Sequence, residues 1–166
     1  MRNLFPYLAC FIFGGACLNG CDGGAPVTPA DPQRVKIFFK FDFRDQVDTF
    51  NGTLTKDLAA NGTCTVPFGF KSFEQDSVLL ALAASNFFGL PDTLYPIPTV
   101  SIAPDPGFQI LRVESEGKSK SLVWLYILDA ADPRTATVQE LWSRLRKLVQ
   151  STEAYKKLPP AAGGYL

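Results

Sequence analysis

The chain contains no histidine, and that absence excludes several classes of chemistry. Ser-His-Asp and Cys-His catalysis need an imidazole base, and histidine is also the commonest zinc ligand and the usual switch near neutral pH. Gly-rich phosphate loops, CxxC pairs and Walker-type motifs are missing from the sequence as well. The sequence therefore predicts no metal, no cofactor and no catalytic centre of these common types.

Net charge is also lacking, since 16 Lys and Arg residues balance 16 Asp and Glu residues. Nucleic-acid binding depends on clustered positive charge, so we expect no nucleic-acid partner. What the sequence does have is 166 residues, a hydrophobic fraction of 46% and 14 phenylalanines. This length and composition are typical of one globular domain with an aromatic-rich core.

The first 20 residues have the organisation of a secretory leader. Arg2 supplies a positive charge, the run Leu4–Phe13 is apolar apart from Pro6, and small residues follow it. The run is too short to cross a bilayer core, which needs about 20 apolar residues, but it has the length of a signal-peptide apolar region. We interpret residues 1–20 as a signal peptide.

The residues Leu18-Asn19-Gly20-Cys21 resemble the lipobox of bacterial lipoproteins. The resemblance implies that Cys21 becomes the mature N-terminus and carries a diacylglycerol thioether and an N-acyl chain. Two or more acyl chains give stable anchoring, so we expect a cell-envelope protein on the inner or outer membrane with its domain outside the cytoplasm. Residues 21–33, rich in Gly, Pro and Ala, are interpreted as a flexible tether. Ordinary cleavage near Ala16, or an uncleaved anchor, is the alternative.

The fate of the leader also decides the state of the four cysteines. Cleavage before Cys21 removes Cys10 and Cys17, and lipid occupies the sulfur of Cys21. We therefore expect no intramolecular disulfide framework and interpret Cys64 as a partly buried structural cysteine.

Residues 34–158 are interpreted as a single α+β domain, followed by a loose C-terminal tail at 159–166. We expect an antiparallel sheet of about five strands with two helices packed on one face, in the order βββα-ββ(β)-α. Alternating or continuous apolar patterns predict the strands. Five strands are predicted, at 35–43, 48–58, 63–70, 108–115 and 121–129. The second is expected to contain a bulge near Gly52, and the last is expected to be a central strand covered on both faces. A short edge strand at 99–102 is considered as a sixth strand.

Two helices are predicted from capping spacings and from apolar stripes with a 3.6-residue period. Ser72 and Gln75 are expected to open the first helix, which ends before Gly89 and Pro91. Its stripe is predicted to be Leu79, Leu80, Ala83 and Phe87. The second helix is predicted over 135–154 with a capping box at Thr137 and Glu140. Its stripe is predicted to be Val138, Leu141, Trp142, Leu145, Leu148 and Val149.

The run DTFNGTLTKDL at Asp48–Leu58 is the most distinctive stretch of the chain. It resembles a segment of an uncharacterised family of small bacterial lipoproteins, over about residues 35–95, and the resemblance implies placement and fold but no chemistry. The run is interpreted either as a strand with polar side chains facing water or as a partner-binding edge. The candidate partner-binding residues are Asp48, Thr49, Thr53, Thr55, Lys56 and Asp57.

Function is predicted as a membrane-anchored, non-catalytic binding module of the cell envelope. Its expected partners are the membrane, through Cys21, and another envelope protein, docked on a sheet edge or on the connection 91–107. The alternative is an envelope enzyme or inhibitor acting on cell-wall or secreted substrates, and a third option is a structural or stress-related protein. The enzyme requires two or more carboxylates converging in a pocket, whereas an exposed apolar patch favours the binding module. The candidate carboxylates are Asp42, Asp45, Asp48 and Asp57.

Overall fold

The computed structural model describes residues 33–94, 108–125 and 130–163. Its strands are β1 (Val35–Phe41), β2 (Asp45–Asp48), β3 (Thr53–Asp57), β4 (Thr63–Pro67), β5 (Thr93–Leu94), β6 (Phe108–Ser115) and β7 (Lys118–Leu125). Its helices are α1 (Ser72–Ala84), α2 (Pro133–Ser151) and α3 (Glu153–Lys156), with a 3-10 helix at Phe87–Gly89.

These strands form one mixed sheet in the order β4-β3-β2-β1-β6-β7-β5. Each neighbouring pair is antiparallel except β5 and β7, which are parallel. The predicted α+β class is confirmed. The predicted numbers were too low, because the described residues contain seven strands and three α-helices rather than about five strands and two helices.

One face of the sheet is buried beneath the helices. The alternation predicted for β1 is confirmed over Val35, Ile37, Phe39 and Phe41, whose side chains are all fully buried. The helices α1 and α2 contact each other, and both contribute side chains to the same core cluster as β1. The two long helices therefore cover the apolar face of the sheet, as alternation on a single face requires.

One of the additional strands arises because the region predicted as a single strand over 48–58 contains a turn, with β2 before it and β3 after it. β2 ends at Asp48, the chain turns, and β3 begins at Thr53 directly opposite Asp48. Gly52 has a φ of +66°, a conformation that residues with a Cβ atom rarely adopt. Asn51-Gly52 is thus a true turn rather than the bulge that we predicted.

Helix α1 begins where predicted, but with a different cap and a different buried face. The Glu74 carboxylate accepts a 2.8 Å hydrogen bond from the backbone N–H of Lys71, so the predicted pair Ser72 and Gln75 does not form the cap. The buried apolar side chains of α1 are Val78, Ala81 and Leu82. Of the predicted stripe, Phe87 is buried in the 3-10 helix and Leu79 packs partly against the core, whereas Ala83 is exposed and Leu80 is 70% exposed.

For helix α2 the predicted buried face is confirmed, whereas the predicted N-terminal cap was wrong. Its buried apolar residues include Val138, Leu141, Leu145 and Val149, as predicted. Asp132 caps the helix by accepting a 2.9 Å hydrogen bond from the backbone of Arg134, with Pro133 at the first helical position, so Thr137 and Glu140 do not form a capping box.

β7 lies between β6 and the two-residue strand β5. Leu122 and Trp124 are buried, but Ser121 is exposed, so the prediction that both faces of this strand are covered was wrong. The predicted strand 99–102 and residues 126–129 lie outside the described residues.

The segment after α3 returns to the β3–β4 turn. The backbone N–H of Ala60 donates to the carbonyl oxygen of Ala162 over 3.2 Å, and the Ala162 N–H donates to the Leu58 carbonyl over 3.2 Å. Leu158 is buried in the core. Within the residues described, no helix combines the length and the apolar character that crossing a bilayer requires.

Candidate binding surface

Asp48 and Thr49, the first two candidate partner-binding residues, are engaged in the β2–β3 turn. The Asp48 carboxylate accepts 3.0 Å hydrogen bonds from the backbone N–H groups of Phe50 and Asn51, and a 2.7 Å bond from the Asn51 side chain. The Thr49 hydroxyl accepts from the Ile37 backbone N–H over 2.7 Å and donates to the Ile37 carbonyl over 3.2 Å. Asp48 therefore stabilises the turn itself, and Thr49 holds the turn against β1.

Thr53 and Thr55 lie on β3, which is an internal strand. β3 pairs with β2 on one side and with β4 on the other, so its backbone cannot accept a partner strand. The Thr55 hydroxyl is 2.8 Å from that of Thr65 on β4. The partner-binding edge that we considered for this run is therefore excluded for β3, and β4 lies at that margin of the sheet instead.

Lys56 joins β3 to α3, whereas Asp57 joins β3 to β2 and to the start of the β3–β4 turn. The Lys56 Nζ lies 4.8 Å from the centre of the Tyr155 ring, in cation–π geometry. The backbone N–H of Asp57 donates to the Asp45 Oδ1 over 2.5 Å, and the Asp57 Oδ1 accepts from the backbone of Ala59 over 2.9 Å. Cys21, the predicted lipidation site, lies outside the described residues.

The aspartates proposed for the enzyme alternative are used as structural links. Asp45 is 5% exposed, and besides the Asp57 backbone it accepts a 2.9 Å hydrogen bond from the Tyr155 hydroxyl. Asp42 forms a 2.8 Å ion pair with Arg146 on α2. These contacts fasten the end of the sheet to α2 and α3.

The pKa values of this cluster are shifted mainly by burial. Burial raises the pKa of Asp45, although the hydrogen bonds from Asp57 and Tyr155 act to lower it. Burial also raises the pKa of Asp42, against the opposing effect of Arg146. Burial and the negative charge of Asp45 raise the pKa of Tyr155 to about 12.

This arrangement does not resemble a pair of catalytic carboxylates. Glycoside hydrolysis needs two carboxyl groups facing a substrate cleft, whereas Asp42, Asp45 and Asp48 each bind a side chain or backbone of their own fold. Neither of the two cavities described below includes them. Among the described residues, no group of three or more Cys, Asp or Glu side chains is placed to hold a metal ion.

Cys64 corrects a further expectation. It is 1% exposed, as a structural cysteine should be, but it takes part in a disulfide bond. The other three cysteines of the chain precede the described residues. The prediction that Cys64 has no intramolecular partner assumed that the leader is removed and Cys21 lipidated, and it does not hold for the unprocessed chain, which still carries Cys10, Cys17 and Cys21.

A groove that sequence reasoning missed lies between α1, the 3-10 helix and the β6–β7 turn. A second cavity of about 300 Å³, between the start of β1 and the same turn, shares Ser115, Glu116 and Lys118 with this groove, whose own volume is about 340 Å³. Leu79 and Phe88 contribute apolar surface to the groove, and the Nζ of Lys118 lies 5.8 Å from the centre of the Phe88 ring. We call it the turn groove. The sequence signal was the Glu-Gly-Lys turn, where Glu116 and Gly117 both have positive φ.

A second unpredicted feature is the outer face of α1. Phe73 is 63% exposed and Leu80 is 70% exposed. Together with Ser77 and Ala84 they follow the i, i+4, i+7, i+11 spacing of one helix face, opposite the buried Val78 and Leu82. We call these four residues the outer strip. A contiguous exposed apolar patch indicates an interaction site more strongly than single exposed apolar residues do.

Comparison of the chain with protein-family models, with curated proteins and with solved structures finds no match.

Proposed function

We propose that the protein is a lipid-anchored, non-catalytic interaction module of the bacterial cell envelope, with the turn groove as its binding site for an envelope protein. The observation that carries the proposal is the contrast between two regions. The carboxylates that could serve catalysis are held in structural bonds, whereas the turn groove presents apolar surface with charged side chains beside it.

The composition of the groove supports a protein partner. Protein interfaces commonly combine an apolar centre with a polar rim that fixes the orientation of the partner. In the turn groove, Leu79 and Phe88 provide the apolar part, while Glu116 and the exposed Lys118 provide charges of opposite sign. An apolar side chain of a partner would fill the cavity, and polar groups beside it would meet these two charges.

The anchor is supported by the sequence around Cys21 and constrains the cysteine chemistry. Lipidation converts the sulfur of Cys21 into a thioether, and cleavage removes Cys10 and Cys17. A disulfide between Cys64 and any of these three residues therefore belongs to a chain that has not been processed as a lipoprotein. Lipoprotein processing and such a disulfide therefore exclude each other. Detection of either one in the purified protein shows that the other is absent.

The binding site is tested by crosslinking and then by affinity. A photoreactive amino acid placed at Lys118 in living cells should give a defined protein adduct that is absent when the same amino acid replaces Arg144, an exposed residue of α2. The purified partner should bind Lys118→Glu at least tenfold more weakly than Arg144→Glu. Equal adducts at both positions, or equal affinities of the two variants, would contradict the assignment of the groove.

A further inference from the structure

The outer strip of α1 lies beside the point where the predicted tether joins the domain. Arg34 is the first residue after the tether, and its backbone N–H donates to the Gln75 side chain over 2.8 Å. Its guanidinium donates to the Ser72 carbonyl over 3.2 Å and to Asp76 over 2.6 Å. Gln75 is fully buried, so the start of the domain is fastened to the first turns of α1.

The distance available to the tether is short. Cys21 and Arg34 are thirteen residues apart, and a chain of that length reaches at most about 45 Å. A flexible chain of this length averages about 20 Å from end to end. A lipid on Cys21 therefore keeps the tethered end of α1 near the bilayer, at a high effective concentration with respect to it.

The outer strip also carries no unpaired charge that would resist contact with lipid. The charged residues of α1 are Glu74, which is buried and bonded to the Lys71 backbone, and Asp76, which is paired with Arg34. The hydroxyl of Ser77 donates to the Phe73 carbonyl over 3.0 Å, so its hydrogen-bonding need is met within the helix. Phe73 and Leu80 thus form an apolar face suited to the boundary between headgroups and acyl chains.

From these observations we infer that the outer strip is a membrane-contact surface, on which α1 lies along the bilayer and holds the domain in one orientation. The inference rests on the proposed lipid anchor at Cys21 and goes beyond it, because an anchor with a tether alone leaves the orientation free. The contact is weak by itself and is made effective by the anchor, in keeping with the need for two signals in stable membrane attachment.

The test uses the lipidated protein that begins at Cys21, in vesicles of phosphatidylethanolamine and phosphatidylglycerol, with and without brominated acyl chains. Phe73→Trp places a fluorophore in the outer strip. Phe108→Trp is the matched control. Phe108 is also exposed, but it lies at the end of β6 that is remote from Ser115, the β6 residue that lines the turn groove together with α1. Fluorescence is compared with that of the unmodified chain, which contains Trp124 and Trp142.

We expect brominated lipid to quench the added emission of Phe73→Trp by at least half and to leave that of Phe108→Trp unchanged. Adding Leu80→Asp to Phe73→Trp should abolish the quenching while lipid remains on Cys21. Absence of quenching at position 73, or equal quenching at both positions, overturns the inference with the anchor intact. A change in emission that depends on protein concentration and not on lipid bromination would show that a second copy of the protein binds the outer strip. That result would also overturn the inference. A protein mass without lipid would instead contradict the proposed anchor.

Discussion

The Tyr155 hydroxyl donates a 2.9 Å hydrogen bond to the Oδ2 of Asp45, across 110 residues of sequence. The same carboxylate accepts from the Asp57 backbone, and the Tyr155 ring lies under the Lys56 ammonium group. One aromatic side chain of α3 therefore fastens two strands of the sheet to the C-terminal helices. No local sequence motif predicts this hydrogen bond, because its two residues lie far apart along the chain.

Removing this hydroxyl should reduce stability. We expect Tyr155→Phe to lower the free energy of unfolding by about 1–2 kcal/mol, because the nearly buried Asp45 loses a donor while the ring packing is retained. Urea denaturation at pH 7 measures the effect. Lys156→Ala in the same helix is the control and should cost less than about 0.5 kcal/mol, since its ion pair with Glu153 is exposed. Equal costs for the two variants would contradict the role of the hydroxyl.

The same bond predicts a loss of stability at alkaline pH. The pKa of Tyr155 is raised from 10.0 to about 12, so the folded chain holds the phenolic proton more tightly than the unfolded chain. This contribution is fully present below pH 10 and disappears as the pH rises to 12. The stability difference between the unmodified chain and Tyr155→Phe should shrink by about 1 kcal/mol over that window, after allowance for the partial exposure of the ring. A difference that stays constant from pH 9.5 to 12 would count against the assignment.

The ion pair between Asp42 and Arg146 should contribute more than an exposed pair on the same helix. Arg146→Gln leaves the half-buried Asp42 carboxylate without its countercharge, at an expected cost of about 1–2 kcal/mol at pH 7. Arg144→Gln removes the exposed pair with Glu140 and should cost less than about 0.5 kcal/mol. The cost of Arg146→Gln should fall in acid, where Asp42 is protonated. Urea titrations of both variants at pH 7 and pH 3 measure these effects, and similar costs for the two variants at pH 7 would argue against a special role for Asp42.

Two leucines on opposite faces of α1 test its orientation in the fold. Leu82→Ala should cost about 2–5 kcal/mol, because the side chain is 4% exposed and its removal leaves a cavity in the core. Leu80→Ala should change stability by less than about 0.5 kcal/mol, because the side chain is 70% exposed. Thermal or urea unfolding of both variants gives the comparison. A larger loss for Leu80→Ala would mean that the helix is rotated and that the outer strip does not exist.

The α1 helix also shows why its existence was predictable from sequence and its orientation was not. Residues 78–84, VLLALAA, are apolar on every face, so the 3.6-residue period carries no information about which face is buried. The buried Gln75 instead ties one face of the helix to the start of β1, because its side chain accepts a hydrogen bond from the backbone N–H of Arg34. The strand β1 and the helix α2 were predictable because their polar and apolar faces are distinct.

The candidate site was less predictable than the fold, for a related reason. The run Asp48–Leu58 looked distinctive, but its residues form a hairpin turn and an internal strand. Turn-forming Asp, Asn and Gly residues have the same composition whether or not a partner binds them. The turn groove is built from α1, the 3-10 helix and the β6–β7 turn, and its assembly depends on tertiary packing that no local pattern encodes.

We propose that Cys21 carries lipid and tethers the domain to a membrane. The most direct measurement is the intact mass of the membrane-extracted protein, beside a Cys21→Ala variant. We predict a mass that begins at Cys21 with diacylglycerol and an acyl chain added, and loss of membrane attachment in the variant. A mass that retains the first 20 residues, or a disulfide-linked peptide that joins Cys64 to Cys21, would contradict the claim.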